Sequence, residues 1–89
     1  MARIFFTQQL ARFTSVPQVE TSADLLRAGL EDAFALNPLL RSYVLDDQGR
    51  LRANVTIFID GGRCHDSASL DDPLQPGSQV YVLQALSGG

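Results

Sequence analysis

The sequence closes on Ala85-Leu86-Ser87-Gly88-Gly89, and the chemistry these residues offer is that of a carboxylate at the tip of a thin thread. Glycine has no Cβ and loses the most conformational entropy on ordering, so two in a row add nothing to a core. They do pass through a channel that admits no side chain. A carboxylate is inert toward nucleophiles until it is activated. Adenylation makes it an acyl donor, and sulfide then displaces the adenylate to leave a thiocarboxylate, a carried sulfur nucleophile. Fully extended, residues 85–89 reach about 17 Å at roughly 3.3–3.6 Å per residue, enough to enter a deep active site while a folded domain stays outside. The competing reading is an end that frays, as most termini do.

Other reactive side chains are sparse. Cys64-His65-Asp66 places three possible metal-ligand types in a row, but adjacent residues rarely converge on one ion and no second cluster accompanies them, so no metal is expected. The same Cys64 and His65 make a weak nucleophile and base, since a loop thiol without a basic environment is usually inert. The acidic pairs Asp46-Asp47 and Asp71-Asp72 sit beside turn residues, where aspartate commonly satisfies the backbone. Gly61-Gly62-Arg63 lacks the spacing and the following helix of a phosphate loop. No catalytic constellation emerges, and the chain is expected to have no enzymatic activity of its own.

The elements behind the tail form one small domain. Eighty-nine residues, 45% hydrophobic and 19% charged, have the composition of a globular chain, and a chain of this size buries about 60–65% of its unfolded surface. A net charge of −3 without a basic cluster argues against nucleic acid as a partner. No apolar run approaches the roughly 18–20 residues needed to span a bilayer, and the apolar stretch near Met1 is too short for a signal peptide. With one cysteine no internal disulfide forms. A cytoplasmic protein is expected, with a domain over 1–84 and a flexible tail over 85–89.

Along the chain, 3–7 alternates as a first strand with Ile4 and Phe6 inward and Phe5 on the opposite face. Residues 16–20 suit a second strand that Pro17 confines to a sheet edge. The helix over 22–36 carries an apolar stripe of Leu26, Leu30, Ala33 and Phe34, with Thr21 or Ser22 capping it, Asp24 completing the cap, and Pro38 ending it. Gly29 on that stripe implies close approach to a sheet. Residues 38–45 fit either a helical turn or a short strand. The turn 46–49 uses Gly49 for a positive φ. A third strand, 55–60, turns Val55, Ile57 and Ile59 inward and stops at Gly61-Gly62. Residues 70–74 suggest a short helical turn, 75–78 a tight turn, and 79–84 the last strand. The class is α+β, with a mixed sheet of four to five strands and one main helix packed on one face. One helix covers one face only. If the first and last strands are neighbours, Phe5, Phe58, Tyr81 and Leu83 cluster with Thr56 on the uncovered face, as a docking surface beside the tail.

Taken in order, Ile4-Phe5-Phe6, the helix, Val55-Thr56-Ile57-Phe58-Ile59-Asp60-Gly61, Leu70-Asp71-Asp72-Pro73-Leu74, Pro76-Gly77-Ser78-Gln79-Val80 and Leu86-Ser87-Gly88-Gly89 resemble the MoaD/ThiS sulfur-carrier family, ubiquitin-like β-grasp domains that end in Gly-Gly. The resemblance covers essentially the whole chain. It implies that Gly89, preceded by Gly88, is adenylated by an E1-like enzyme that uses ATP. It also implies that a sulfurtransferase or desulfurase supplies sulfur, and that the Gly89 thiocarboxylate passes it to a sulfur-accepting synthase. No cofactor is bound. Phe58 and Leu83, with Phe5, match the family's hydrophobic docking face, which Tyr81 joins by strand alternation, and Leu86 and Ser87 lie on the inserted tail. The acceptor pathway is left between a molybdopterin type, where the carrier is the small subunit of a synthase, and a cysteine-biosynthesis type. Residues 46–52 are longer than in the compact thiamine carriers, while Gln84-Ala85-Leu86 stands where many molybdopterin carriers have two prolines. Two rival readings are a ubiquitin-like modifier joined to target lysines through Gly89, and a β-grasp interaction domain with an incidental Gly-Gly.

Overall fold

The computed structural model describes residues 1–16 and 18–84, with Gln8 and Gln9 described by their backbone alone. Alternating strands sort their side chains into two sets, and the sheet they form is a single one. Strands β1 (Ala2–Gln8), β2 (Gln18–Thr21), β3 (Val55–Ile59), β4 (Gly62–Arg63) and β5 (Gln79–Gln84) lie in the order β2-β1-β5-β3-β4. β5 is parallel to β1 and antiparallel to β3, while β2 and β4 add antiparallel edges. The sheet is therefore mixed and five-stranded, as the sequence reading allowed. β2 is an edge strand, although Pro17, the residue that implied this, lies outside the described residues.

One face of this sheet carries the core. Ile4 pairs with Val80, which pairs with Ile59, and Phe6 pairs with Val82, which pairs with Ile57. Ile4, Ile57, Val80 and Val82 are wholly buried, and Ile59 packs against the cluster from its margin. Helix α1 (Leu26–Leu36) lies over this face with Leu26, Gly29, Leu30, Ala33 and Phe34 buried. The expected stripe is present, and Gly29 makes the close approach. A Cβ there would stand 3.2 Å from Leu74 Cδ1, 3.3 Å from Ile4 Cδ1 and 3.4 Å from Thr21 Cγ2. The ambiguous stretch after Pro38 is helical, α2 (Leu40–Val44), and a 3₁₀ turn over Gln9–Phe13 buries Leu10.

Three local expectations are corrected. Thr21 does not cap α1. It ends β2, buried, and its hydroxyl donates to Asp32 Oδ2 at 2.6 Å and accepts from the Ala23 amide. The helix begins later, at Leu26, because Leu25 is extended and bridged to Pro73, with Leu74 N–H donating to Asp24 O. Its first amides are satisfied from there: Leu26 N–H donates to Asp72 O and Arg27 N–H to Leu70 O. Residues 70–74 are likewise not a helical turn: Leu70 takes a positive φ of 53°, Pro73 bridges Leu25, and the Leu70 and Asp72 carbonyls accept from the first amides of α1. Finally, β3 and β4 form a hairpin that the sequence reading did not include. Asp60 and Gly61 both take positive φ, 50° and 86°, the backbone of a two-residue turn that matches strand twist.

Candidate functional site

The second set of strand side chains lies on the face away from α1, and the register brings it together. Phe5 stands opposite Tyr81 across the parallel pair, and Tyr81 stands opposite Phe58 across the antiparallel one. Gln18 flanks Phe5 on β2, and Arg63 flanks Phe58 on β4. Gln18, Phe5, Tyr81, Phe58 and Arg63 thus make one row across all five strands, aromatic in the middle and polar at both ends. The Phe5 and Tyr81 rings are stacked, with centroids 4.9 Å apart and planes 14° from parallel. Tyr81 is 37% exposed, and Phe5 and Phe58, on either side of it, are half-buried. The next row places Leu83 between Thr7 and Thr56, and Leu83 is also half-buried. The row on the other side ends in charge, with Arg3 ion-paired to Glu20 at 3.4 Å.

The four residues singled out on β1, β3 and β5 are therefore contiguous, on the two central pairs of the sheet. β5 is held on both sides, and its last residue, Gln84, stands between Gln8 and Val55. The Leu83 row is the one next to Gln84. Leu86, Ser87, Gly88 and Gly89, and the expected flexibility of 85–89, lie outside the described residues.

The Cys64-His65-Asp66 triplet diverges. Cys64 packs against the margin of the core, with its N–H donating to Ile57 O. Burial pushes its thiol pKa up, and the charges of Asp72 and Asp66 push the same way. Asp66 closes its own turn, accepting from the Ala68 and Ser69 amides, and these bonds hold its carboxyl below the usual range. His65 is 90% exposed and its Nδ1 sits 2.6 Å from Asp72 Oδ2. Among the described residues no three His, Cys, Asp or Glu side chains gather as a metal ion would require.

Three polar arrangements escaped the sequence reading. The Asp72 carboxylate is nearly buried and accepts the His65 amide on both oxygens, at 3.0 and 3.1 Å, as well as the ring. Burial opposes its ionisation, but the ring and amide bonds outweigh it and hold the carboxyl below its usual range. Arg27 reaches from α1 to three carbonyls, of Ser69, Gly49 and Ala68, and so ties the turns at 46–49 and 66–69 to the helix. Buried Asn37 accepts from the Ser15 and Val16 amides and donates to Val16 O and Ala33 O. Each joins segments distant in sequence, and none leaves a local pattern.

No protein-family model matches the chain, and no curated protein sequence does. Solved structures do match over nearly its whole length. The small archaeal modifier protein 1 of Haloferax volcanii superposes with a TM-score of 0.80 at 21% identity, covering 99% of this chain and 98% of that one. CysO of Mycobacterium tuberculosis, described as an antigen, gives 0.80 at 22% identity over 97% and 100%. The BexX/CysO complex of Amycolatopsis orientalis gives 0.84 at 14% identity over 100% of both chains. At such identities the likeness establishes the fold. The chain is a ubiquitin-like β-grasp domain, with a five-stranded mixed sheet and one main helix.

Proposed function

We propose that this chain is a sulfur-carrier protein whose working group is the carboxylate of Gly89. The observation that carries the reading is the path of β5. It runs down the middle of a β-grasp sheet, beneath an uncovered aromatic row, and its next residues lead to Gly88-Gly89. The domain is then a handle that a partner grips, and the side-chain-free end is what enters the partner's active site. An E1-like enzyme joins the Gly89 carboxylate to the α-phosphorus of ATP, releasing pyrophosphate. Sulfide, or the outer sulfur of a persulfide carried by a sulfurtransferase or desulfurase, attacks the acyl carbon as AMP leaves. In the persulfide case a second thiol then cleaves the acyl disulfide, leaving the thiocarboxylate and a disulfide on the donor. The thiocarboxylate then gives its sulfur to an accepting synthase, of molybdopterin or cysteine-biosynthesis type. The chain acts as a co-substrate with no catalysis of its own, and its dependence on ATP assigns it to the cytoplasm.

The Phe5, Tyr81, Phe58 and Leu83 face is the surface we assign to these partners. In the A. orientalis structure the similar chain is seen with a partner, BexX, which supports a carrier that works in complexes. A second reading has its own support, since two of the similar structures are named as modifier proteins: Gly89 forms an isopeptide bond with a lysine of another protein.

Intact-mass spectrometry distinguishes the two after incubation with an E1-like enzyme, ATP and a sulfur donor. Replacement of one oxygen by sulfur, localised to Gly89 and lost on deleting Gly88 and Gly89, supports the carrier. Lysine-linked adducts without that replacement favour the modifier, and neither product rejects both.

A further inference from the structure

All seven basic residues of this chain are arginine, and none of its 89 residues is lysine. A chain whose own carboxylate becomes an acyl donor is its own most concentrated neighbour, so its surface nucleophiles decide whether it attacks itself. An ε-amine is the side chain that captures activated acyl groups as stable amides, and a guanidinium stays protonated and does not. Among side chains thiolate is the other strong nucleophile, and only Cys64 can supply it. Cys64 is part-buried on the margin of the core, its N–H is tied to Ile57 O, and the charges of Asp72 and Asp66 act on it. Burial and those carboxylates keep the thiol protonated, and the thiol is the unreactive form. Hydroxyls need an adjacent base to attack, and Tyr81 Oη instead donates to Gln79 Oε1 at 3.3 Å.

We propose that the chain is a single-copy donor: once activated at Gly89 it transfers to sulfur or to a foreign amine, and none of its own side chains receives another copy of it. This rests on Gly89 being the activated group. On the carrier reading, activated chain is then not drained into self-ligated product. On the modifier reading, each acceptor lysine carries one copy and no chains grow from it.

The test needs no activating enzyme, so its outcome stands apart from that of the sulfur-transfer experiment. The chain is prepared as a 2-mercaptoethanesulfonate thioester at Gly89 and held concentrated at mildly alkaline pH. Attack by an amine forms a C–N bond and breaks the C–S bond, and the thiol leaves as the amine gives up its proton. Wild type and Cys64→Ala are expected to stay monomeric and slowly hydrolyse, while an added lysine-bearing peptide is taken up once per chain. Ala53→Lys and Gln48→Lys, each at an exposed position, are expected to give covalent dimers and a ladder. With the Met1 amine acetylated beforehand, covalent dimers of the wild-type chain overturn the proposal, whether linked through another side chain or through Cys64 and lost in Cys64→Ala. So does a failure of both lysine variants to dimerise while the peptide still reacts, because the missing lysine would then not be the cause.

Discussion

Phe5 and Tyr81 stack across the parallel β1–β5 pair, 4.9 Å between centroids, on the sheet face that no helix covers. A stacked pair in that setting gains about 0.5–1.5 kcal/mol beyond its buried area, a modest fraction of a small domain's stability. Its larger consequence is shape. The stack fixes two parallel rings beside Phe58, and a fixed apolar strip at the middle of a sheet is a good anchor for a partner.

Tyr81→Ala loses the stack and the buried part of the ring, so it should cost the fold about 1.5–3 kcal/mol, visible as a drop in the urea midpoint. Phe58→Ala should weaken docking to an activating enzyme by about 1–2 kcal/mol, or roughly tenfold in Kd, as expected for an aromatic anchor near the centre of an interface. Titration calorimetry with the enzyme, alongside circular dichroism of each variant, separates the two effects. Unchanged affinity in both variants would remove this face from the docking surface.

How far the sequence reached this geometry follows from the range of each signal. Strand alternation is local, so the inward set and the outward set could be read off 3–7, 55–60 and 79–84, and β5 has the expected bounds. The row of Gln18, Phe5, Tyr81, Phe58 and Arg63 needed registers between strands far apart in sequence, and parity alone does not give these. The start of α1 was misplaced because its cap is made of carbonyls from 70–72, which no local rule reveals. The β3–β4 hairpin did have a local sign, Asp60-Gly61, but the neighbouring Gly61-Gly62 drew the turn one residue later.

The Asp72 carboxyl is held low by His65, and this links stability to acid. A carboxyl whose folded pKa lies below its unfolded value, about 3.9, leaves the unfolded chain to take up the proton first. Its contribution is therefore complete above about pH 5 and lost as pH falls through the folded value. Asp46 and Asp66 are also lowered by backbone amides and act in the same direction. Asp72→Asn keeps an acceptor for the His65 amide but does not titrate. It should flatten part of the decline in urea midpoint between about pH 6 and pH 3 and leave a remainder. An unchanged decline would mean that the His65 contacts do not stabilise the ionised form.

Asn37 ties the segment before β2 to the end of α1 through four hydrogen bonds. Asn37→Ala leaves the Ser15 and Val16 amides without their acceptor at a part-buried place, at a cost of about 1–3 kcal/mol from unsatisfied groups. Asn37→Asp restores the acceptor but loses both donations and buries a charge, so it should also destabilise the domain. Hydrogen exchange should show the Ser15 and Val16 amides losing protection in Asn37→Ala before the β1–β5 pair does.

Gly29 sets how closely α1 lies on the sheet. Alanine there gains helix propensity of about 1 kcal/mol, but its methyl meets Leu74 Cδ1 at 3.2 Å and Ile4 Cδ1 at 3.3 Å. Both are ends of side chains that can shift by a few tenths of an ångström, so the two effects nearly cancel and Gly29→Ala should be close to neutral. Leucine cannot be absorbed this way, because Ile4 is wholly buried and Leu74 nearly so. Gly29→Leu must lift the helix or force rotamers, and should cost about 1–3 kcal/mol or more. Thermal melts of both variants check this. Equal large losses would show that the helix has no room for even a methyl, and two unchanged melts would show that α1 does not need the close approach.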